Sequence, residues 1–181
     1  YGMKPDLITI AKGLTSAYAP LSGSIVSDKM WRVLEQGTDE NGPIGHGWTY
    51  SAHPIGAAAG VANLNLIDTL GLIANAGIVG ADLNTKMRAA LADHPHVGDV
   101  RGEGMICAVE FVNDKADRVF YDAADKIGPQ IAAKLLEQDQ IIARAMPQGD
   151  ILGFAPPFCL TAQEADRIIT ATARAVKAVL G

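Results

Sequence analysis

Basic residues, cysteines and long apolar runs are all scarce in this sequence. Its 181 residues hold 15 Lys and Arg against 20 Asp and Glu, which gives a net charge of -5. Because there is no basic stripe to neutralise phosphates, we expect no nucleic acid partner. No apolar run approaches the roughly 18 residues needed to cross a bilayer, and no signal-peptide pattern is present. We therefore expect a cytoplasmic protein without a membrane partner.

The two cysteines, Cys107 and Cys159, lie among apolar neighbours. Both segments are typical of strands, so we expect two small buried side chains. A disulfide between them is not expected in a cytosolic protein. The histidines form no zinc pattern with these cysteines, and we expect no metal site. They are His46, His53, His94 and His96.

The composition predicts a globular protein, because 49% of the residues are hydrophobic and 19% are charged. A chain of this length forms one sizeable domain, or a smaller domain plus part of another. It starts at Tyr1 without an initiator methionine, which leads us to expect a fragment of a longer protein. The pattern changes character near residue 73. We therefore expect one part over residues 1–74 and a second over 75–181.

The first part begins with two short strands, over residues 7–10 and 22–26, and the first of them is expected to be buried. A short amphipathic helix is predicted over residues 28–36, with Ser27 or Asp28 as its cap.

Residues 37–47 are rich in glycine and poor in apolar side chains, which predicts a loop. Beyond it, Pro54 is expected in the first turn of a helix that runs to Leu70. This helix is unusually rich in small residues, so another element should pack very close to its backbone. We expect it to be buried inside a large α/β domain.

In the second part, apolar residues recur at helical spacing over residues 78–91. They are Ile78, Val79, Leu83, Met87 and Leu91. The elements expected after this helix are strands around the turn 101–104, a helix over 123–138, short strands over 141–144 and 150–155, and a last helix opened by the capping box 161–164. This order is typical of a small α+β domain closed by its C-terminal helix.

The tripeptide Ala11-Lys12-Gly13 carries the strongest chemical signal. It places a lysine at the end of the first strand, and the following glycine permits a sharp turn. A lysine that is partly desolvated at such a position can act as an amine nucleophile. The alternative is a solvated lysine in a connection, which the spacing alone does not exclude.

The segment from Pro5 to Leu14, with Lys12 inside it, resembles the cofactor-lysine segment of class III aminotransferases, which are pyridoxal-phosphate enzymes of fold type I. Four further stretches resemble the same family in the same order: Ala19–Gly23, Gly47–Pro54, Arg101–Met105 and Ala155–Phe158. The resemblance implies an α/β fold, with the end of the cofactor-binding large domain over 1–74 and an α+β small domain over 75–181. It also implies that the N-terminal half, with further cofactor-binding residues, is absent from this chain.

The resemblance assigns roles to three residues of the first part. Lys12 is expected to bind pyridoxal 5'-phosphate covalently and to move protons as the catalytic acid and base. Thr49 is expected to donate to the phosphate of the neighbouring subunit's cofactor, in a homodimer with shared active sites. Trp48 is expected to line the partner's substrate pocket. The alternatives are an ordinary loop threonine and a plain interface or core aromatic residue.

In the second part, Arg144 resembles the arginine with which the ω-aminotransferase branch binds a substrate carboxylate. A guanidinium suits such a bidentate contact. The ornithine-type branch instead has an arginine two residues before the Ala-Pro-Pro sequence, where this chain has Gly153. An arginine at position 144 together with a glycine at position 153 favours the ω-amino acid or amine:pyruvate branch. A surface arginine at a strand end is the alternative.

Together these features predict a transaminase that moves an amino group from an ω-amino acid or amine to a keto acid such as pyruvate. An aminomutase or a decarboxylating transaminase is an alternative, because fold and lysine do not fix the reaction type. A non-catalytic interaction domain is a third hypothesis, which the retained lysine, threonine and arginine argue against.

Overall fold

A computed structural model describes residues 2–181 of the chain, so Tyr1, where the predicted first domain starts, lies outside the described residues. The chain divides into two units, the first ending at Leu70 and the second running from Gly71 to Gly181. Both contain helices and strands, which confirms the α/β class. The assignment of residues 1–74 and 75–181 to a large and a small domain stays a prediction.

The first unit contains two antiparallel strands, β1 (Leu7–Ile10) and β2 (Gly23–Val26), which pair from Leu7↔Val26 to Ile10↔Gly23. The expectation of a buried β1 is wrong for this chain, because three of the four residues in each strand are exposed. The described sheet has two strands, and so small a sheet has no layer that covers its faces.

Helix α1 (Asp28–Asn41) is longer than the sequence predicts, and the loop expected over 37–47 is wrong for its first five residues. Its start agrees, because the Ser27 hydroxyl accepts from the backbone N–H of Met30 at 3.4 Å. Polar contacts rather than apolar ones accompany its last turns. The Thr38 hydroxyl, for example, donates to the Leu34 carbonyl at 2.9 Å. The helix ends at Gly42, whose φ is +84°.

Helix α2 (Pro54–Thr69) begins at its proline, as predicted. The expected close packing is also present. A Cβ on Gly56 would lie 2.9 Å from the Pro20 carbonyl oxygen, and one on Gly60 would lie 2.8 Å from Leu21 Cδ2. The burial expected inside a large α/β domain is not found within this chain, where only one face of the helix packs, on the segment before β2. Four apolar side chains are at least half exposed: Ile55, Val61, Leu64 and Leu66.

The second unit is an antiparallel four-stranded sheet in the order β3-β4-β6-β5, with three helices. The strands are β3 (Val97–Glu103), β4 (Ile106–Phe111), β5 (Arg144–Ala145) and β6 (Ile151–Phe154). The helices are α3 (Leu72–Leu91), α4 (Ile127–Asp139) and α5 (Ala162–Leu180). One face of the sheet and the helices enclose the core, whose fully buried members include Leu83, Met87, Val109, Phe111, Ile131, Leu135, Leu152 and Val176.

The turn between β3 and β4 packs directly on α3. It lies at Gly104, whose φ is +55°, and is therefore later than the predicted turn, because β3 extends to Glu103. The buried Asn84 side chain of α3 donates to the carbonyls of Gly104 at 3.0 Å and Ile106 at 3.2 Å. A Cβ on Gly80 would lie 2.2 Å from the Gly104 carbonyl. This contact leaves no space for a side chain at Gly80 of α3.

Other predicted boundaries shift in the second unit. Helix α3 starts before residue 78, and Ile78 is exposed although the other four apolar positions of the predicted helix face are buried. Helix α4 starts later than residue 123, because Asp122 caps a turn there by accepting from the N–H of Ala124 at 2.8 Å. The strand expected over 141–144 is found at β5 instead.

The two cysteines differ. Cys107 is buried in β4, as expected, whereas Cys159 is exposed in a turn, so its predicted burial in a strand is wrong. No single helix within residues 2–181 is long and apolar enough to cross a membrane. Helices α2 and α3 reach that length and composition only as one broken pair.

Candidate active site

Lys12 follows the end of β1 and opens a short 3-10 turn, Lys12–Leu14. Its φ is +53°, in the left-handed region that residues other than glycine seldom adopt. Gly13, which the sequence suggested for the turn, does not have a positive φ. A backbone strained in this way costs about 1–3 kcal/mol, and such residues cluster at functional sites.

The side chain of Lys12 is exposed, so the partial desolvation expected from the sequence is not found in this chain. The reason is the same as for β1, since the described sheet has two strands and open faces. Lys12 nevertheless lines a concave surface rather than a flat one. That cavity has a volume of about 630 Å³, within the size range of small-molecule sites.

Hydroxyl and aromatic groups share this cavity with the lysine. Its lining residues are Thr9, Ile10, Ala11, Lys12, Ser22, Gly23, Ser24, His46 and Trp48. The cavity thus combines a primary amine, three hydroxyls that donate or accept hydrogen bonds, and two rings. This set is suited to a ligand with an aromatic body and polar substituents.

Trp48 and His46 form one wall of the cavity, with ring centroids 4.8 Å apart and the planes at 74°. Such an edge-on contact is favoured between rings. Trp48, which was expected at the partner's substrate pocket, therefore lines the Lys12 cavity of its own chain, and residues 37–47 are not wholly the loop that was predicted. Helix α1 takes up part of that segment, and the residues after Gly42 return to β1 and β2. Sequence reasoning missed His46, although it precedes a segment that was singled out.

Thr49 is exposed in the turn that follows Trp48. This turn is closed by two hydrogen bonds: the N–H of Trp48 donates to the Ser51 hydroxyl at 3.0 Å, and the N–H of Ser51 donates to the Trp48 carbonyl at 2.9 Å. Thr49 is not among the described residues that line the Lys12 cavity.

The loop after Lys12 is tied to α2 by Asn63, a residue that sequence reasoning missed. The Asn63 amide donates to the carbonyls of Gly13 at 2.8 Å and Leu14 at 3.1 Å. Its oxygen accepts from the Ser16 hydroxyl at 2.7 Å. The sequence offered little signal, because Asn63 and Asn65 both interrupt the apolar stretch of α2.

Arg144 lies in the second unit, where it is exposed and lines a different cavity of about 540 Å³. Among residues 2–181 its guanidinium has no hydrogen-bond or ion-pair partner. The strand register places Arg144 directly opposite Gly153. The two positions that the sequence contrasts as sites for a carboxylate-binding arginine are therefore neighbours on adjacent strands.

The pair belongs to a row that crosses all four strands on the sheet face opposite the core: Arg101↔Ala108, Ala108↔Gly153 and Gly153↔Arg144. Small residues form its middle. At its far end, Arg101 donates to the carboxylates of Asp99 at 2.9 Å and Glu110 at 2.6 Å, and these bonds raise the pKa of Arg101. Arg144 is thus the arginine of this row that is free for a ligand.

A model of the family described as aminotransferase class-III matches residues 1–176. The chain belongs to this family. A diaminobutyrate–2-oxoglutarate transaminase of Halomonas elongata is 63% identical over 99% of the chain, and a putrescine–pyruvate aminotransferase of Pseudomonas aeruginosa is 37% identical over 94%. The chain spans 38% and 36% of the length of these class III relatives.

Solved structures agree with this assignment to class III. A transaminase from directed evolution by ancestral reconstruction has a TM-score of 0.93 at 59% identity over 99% of the chain. An (S)-enantioselective omega-transaminase from Thermomicrobium roseum has a TM-score of 0.90 at 37% identity over the whole chain. The chain covers 39% of each structure. The resemblance inferred from the five segments, and the fold type that it implied, are confirmed.

Class III aminotransferases depend on pyridoxal 5'-phosphate. The residues around Lys12 fit this cofactor, because the cavity offers a primary amine for its aldehyde, hydroxyls for its polar substituents and two rings beside them.

Proposed function

We propose that this chain is the part of a pyridoxal-phosphate-dependent transaminase that carries the catalytic lysine and one substrate arginine. The observation that carries the proposal is Lys12 itself. It has a left-handed backbone at the end of β1 and lines a cavity with hydroxyls and rings, in a chain of the class III family.

Four residues of the cavity have roles that follow from their chemistry. Lys12 would hold the cofactor through its Nζ, and the same amine, once free, is able to move a proton at the substrate carbon. The hydroxyls of Ser22 and Ser24 would donate to polar substituents of the cofactor. Trp48 would exclude water beside the substrate, either at this cavity, which it lines, or at the partner's substrate pocket, to which the family resemblance assigns it. When bound, the cofactor supplies a conjugated ring that accepts electrons from the substrate carbon.

The covalent role of Lys12 is testable on the complete enzyme. Lys12→Ala should lose transamination. It should also lose the cofactor label that borohydride reduction makes permanent on the peptide containing residue 12. The exposed Lys4, which is close in sequence and does not line the cavity, provides the matched variant Lys4→Ala, which should keep both. Full turnover by Lys12→Ala would refute the proposal.

For the substrates, we propose a donor with a terminal primary amine, either an ω-amino acid or an amine, and a keto acid acceptor such as pyruvate. Support comes from the names of the two relatives, which pair diaminobutyrate with 2-oxoglutarate and putrescine with pyruvate. Both donors carry terminal amines and both acceptors are keto acids. Initial rates with each donor and each acceptor decide between the two pairings.

We assign the acceptor carboxylate to Arg144, because its guanidinium is exposed and has no partner among residues 2–181. Loss of a charge-assisted hydrogen-bond pair worth about 1.5–3 kcal/mol should raise the KM for the keto acid about tenfold to a hundredfold in Arg144→Ala. The half-reaction with an amine that lacks a carboxylate should change little. Arg32→Ala, at another exposed arginine, is the control. Equal losses in both half-reactions would return Arg144 to a structural role.

We further propose a homodimer in which Thr49 donates to the phosphate at the neighbouring subunit's site. Its exposed position outside the Lys12 cavity of its own chain is compatible with this role. Thr49→Val and Lys12→Ala subunits should each lose most activity alone. If the sites are shared, co-expression of the two restores one intact site in each mixed dimer. No recovery of activity in isolated mixed dimers would contradict the shared site.

A further inference from the structure

We propose that Asn63 is a positioning residue for Lys12, acting through the backbone of the residues that follow the lysine. This inference rests on the proposed function of Lys12. Asn63 does not line the Lys12 cavity, so its effect on the reaction is indirect.

The Asn63 side chain uses both of its polar groups on one short segment. Its amide nitrogen donates to the carbonyls of Gly13 and Leu14, at 2.8 and 3.1 Å, and its oxygen accepts from the hydroxyl of Ser16, at 2.7 Å. These bonds join residues about fifty positions apart in the sequence. They attach the peptide groups that follow Lys12 to helix α2, which has no residue in the lining of the Lys12 cavity.

The segment needs such support because its backbone is unusual. Lys12, Ser16 and Ala17 all have positive φ, at +53°, +48° and +64°. Residues other than glycine keep this conformation when surrounding contacts enforce it. The buried Thr15 adds a local bond, from its hydroxyl to the Ala19 carbonyl at 2.6 Å. Within residues 2–181, Asn63 is the side chain that links this strained loop to α2.

The face of α2 explains why asparagine suits this position. Gly56, Gly60 and Asn63 are spaced four and three residues apart, so they lie on one face of the helix. The two glycines allow the helix backbone to approach Pro20 and Leu21 closely. At this separation a short amide reaches the loop carbonyls. Alanine removes all three bonds, and aspartate removes the donor while adding a charge.

The expected consequence for the reaction lies in kcat. A lysine that moves a proton between defined atoms is sensitive to displacements of about 1 Å, which cost on the order of a hundredfold in rate. The keto acid carboxylate is proposed to bind at Arg144, which Asn63 does not contact. Loss of Asn63 should therefore lower kcat about tenfold to a hundredfold while the KM for the keto acid changes less than about twofold.

The experiment compares Asn63→Ala and Asn63→Asp with two controls in the complete, cofactor-loaded enzyme. Asn65→Ala removes an exposed asparagine of the same helix, and Ser16→Ala removes one of the three bonds. Three measurements are made. The first gives kcat and KM. The second is the rate at which the cofactor attaches to the Lys12 peptide, detected as a label that borohydride reduction makes permanent, and the third is the melting temperature of the cofactor-free protein.

We expect slow attachment and low kcat in both Asn63 variants, a smaller loss in Ser16→Ala and none in Asn65→Ala. Attachment and kcat within twofold of the wild type in Asn63→Ala would overturn the positioning role. The positioning role would also be overturned if Asn63→Ala lowered kcat and raised KM to the same extent, and if both losses disappeared at temperatures well below the melting temperature. Such losses would come from partial unfolding and would mark a structural role. A wild-type enzyme without the lysine label would instead overturn the proposed function together with this inference.

Discussion

The contact between α3 and the β3–β4 turn offers a stringent test of the structure, because two glycines of one helix have opposite surroundings. A Cβ on Gly80 would lie 2.2 Å from the carbonyl carbon and oxygen of Gly104 and 2.8 Å from the nitrogen of Met105. All of these are backbone atoms, which cannot rotate away. A Cβ on Gly77, three residues earlier in α3, would meet nothing within 4 Å.

The two alanine variants should therefore change stability in opposite directions. Alanine is about 0.5–1 kcal/mol better than glycine inside a helix, so Gly77→Ala should raise the free energy of unfolding by that amount. Gly80→Ala gains the same term but forces the turn away, and overpacking of this kind costs about 1–3 kcal/mol. A shift that breaks the bond from Asn84 to the Gly104 carbonyl removes about 1 kcal/mol more. The net loss should be about 1–3 kcal/mol.

Urea unfolding followed by far-ultraviolet circular dichroism measures both variants against the wild type. The slope of the transition should be unchanged, so that the midpoints report the free energies directly. Equal free energies of unfolding for Gly80→Ala and Gly77→Ala would refute the reasoning. A stabilised Gly80→Ala would show that the turn does not rest on α3.

Three further outcomes are expected. Burial lowers the pKa of His94 below its ordinary value of 6.5. As the pH falls, the His94 imidazole is therefore protonated in the unfolded chain before it is protonated in the folded one. The free energy of unfolding should therefore fall as the pH drops below 6.5 and less steeply in His94→Asn, which denaturation midpoints at several pH values measure. Burial raises the pKa of the Cys107 thiol to about 11, whereas Cys159 is exposed, so a thiol reagent at pH 8 should modify one cysteine per folded chain and both after denaturation. Thr161→Ala removes the hydroxyl that caps α5 and should cost about 0.5–2 kcal/mol in thermal or urea unfolding.

Local sequence patterns predicted those elements whose signals are local. The helical spacing of Val79, Leu83, Met87 and Leu91 identified the buried face of α3, and the capping box at Thr161 identified the start of α5. Patterns failed where polar contacts replace apolar ones, as at Thr38 in the last turns of α1.

The site shows the same division between local and long-range information. The position of Lys12 at a strand end could be predicted from its neighbours, but its exposure depends on how many strands the sheet has. Asn63 was missed because its partners lie about fifty positions away in the sequence, and His46 because its neighbours give no sign of the cavity that it lines. No periodicity encodes such contacts. The catalytic and binding roles of Lys12, Thr49 and Arg144 stay predictions for the experiments above.

The pairing of Arg144 with Gly153 has an evolutionary consequence. Directly paired residues of antiparallel strands project on the same face with their Cβ atoms about 5 Å apart, so a guanidinium on either strand reaches the same surface. A Cβ on Gly153 would meet Met146 Sδ at 3.5 Å and the Arg144 carbonyl at 3.7 Å, which are ordinary contacts. An exchange of residue types between positions 144 and 153 would therefore move the charge from one strand to the other by two substitutions and keep the strand register. Under the proposed role of Arg144, the charge would still face the same cavity, so relatives could carry the arginine on either strand.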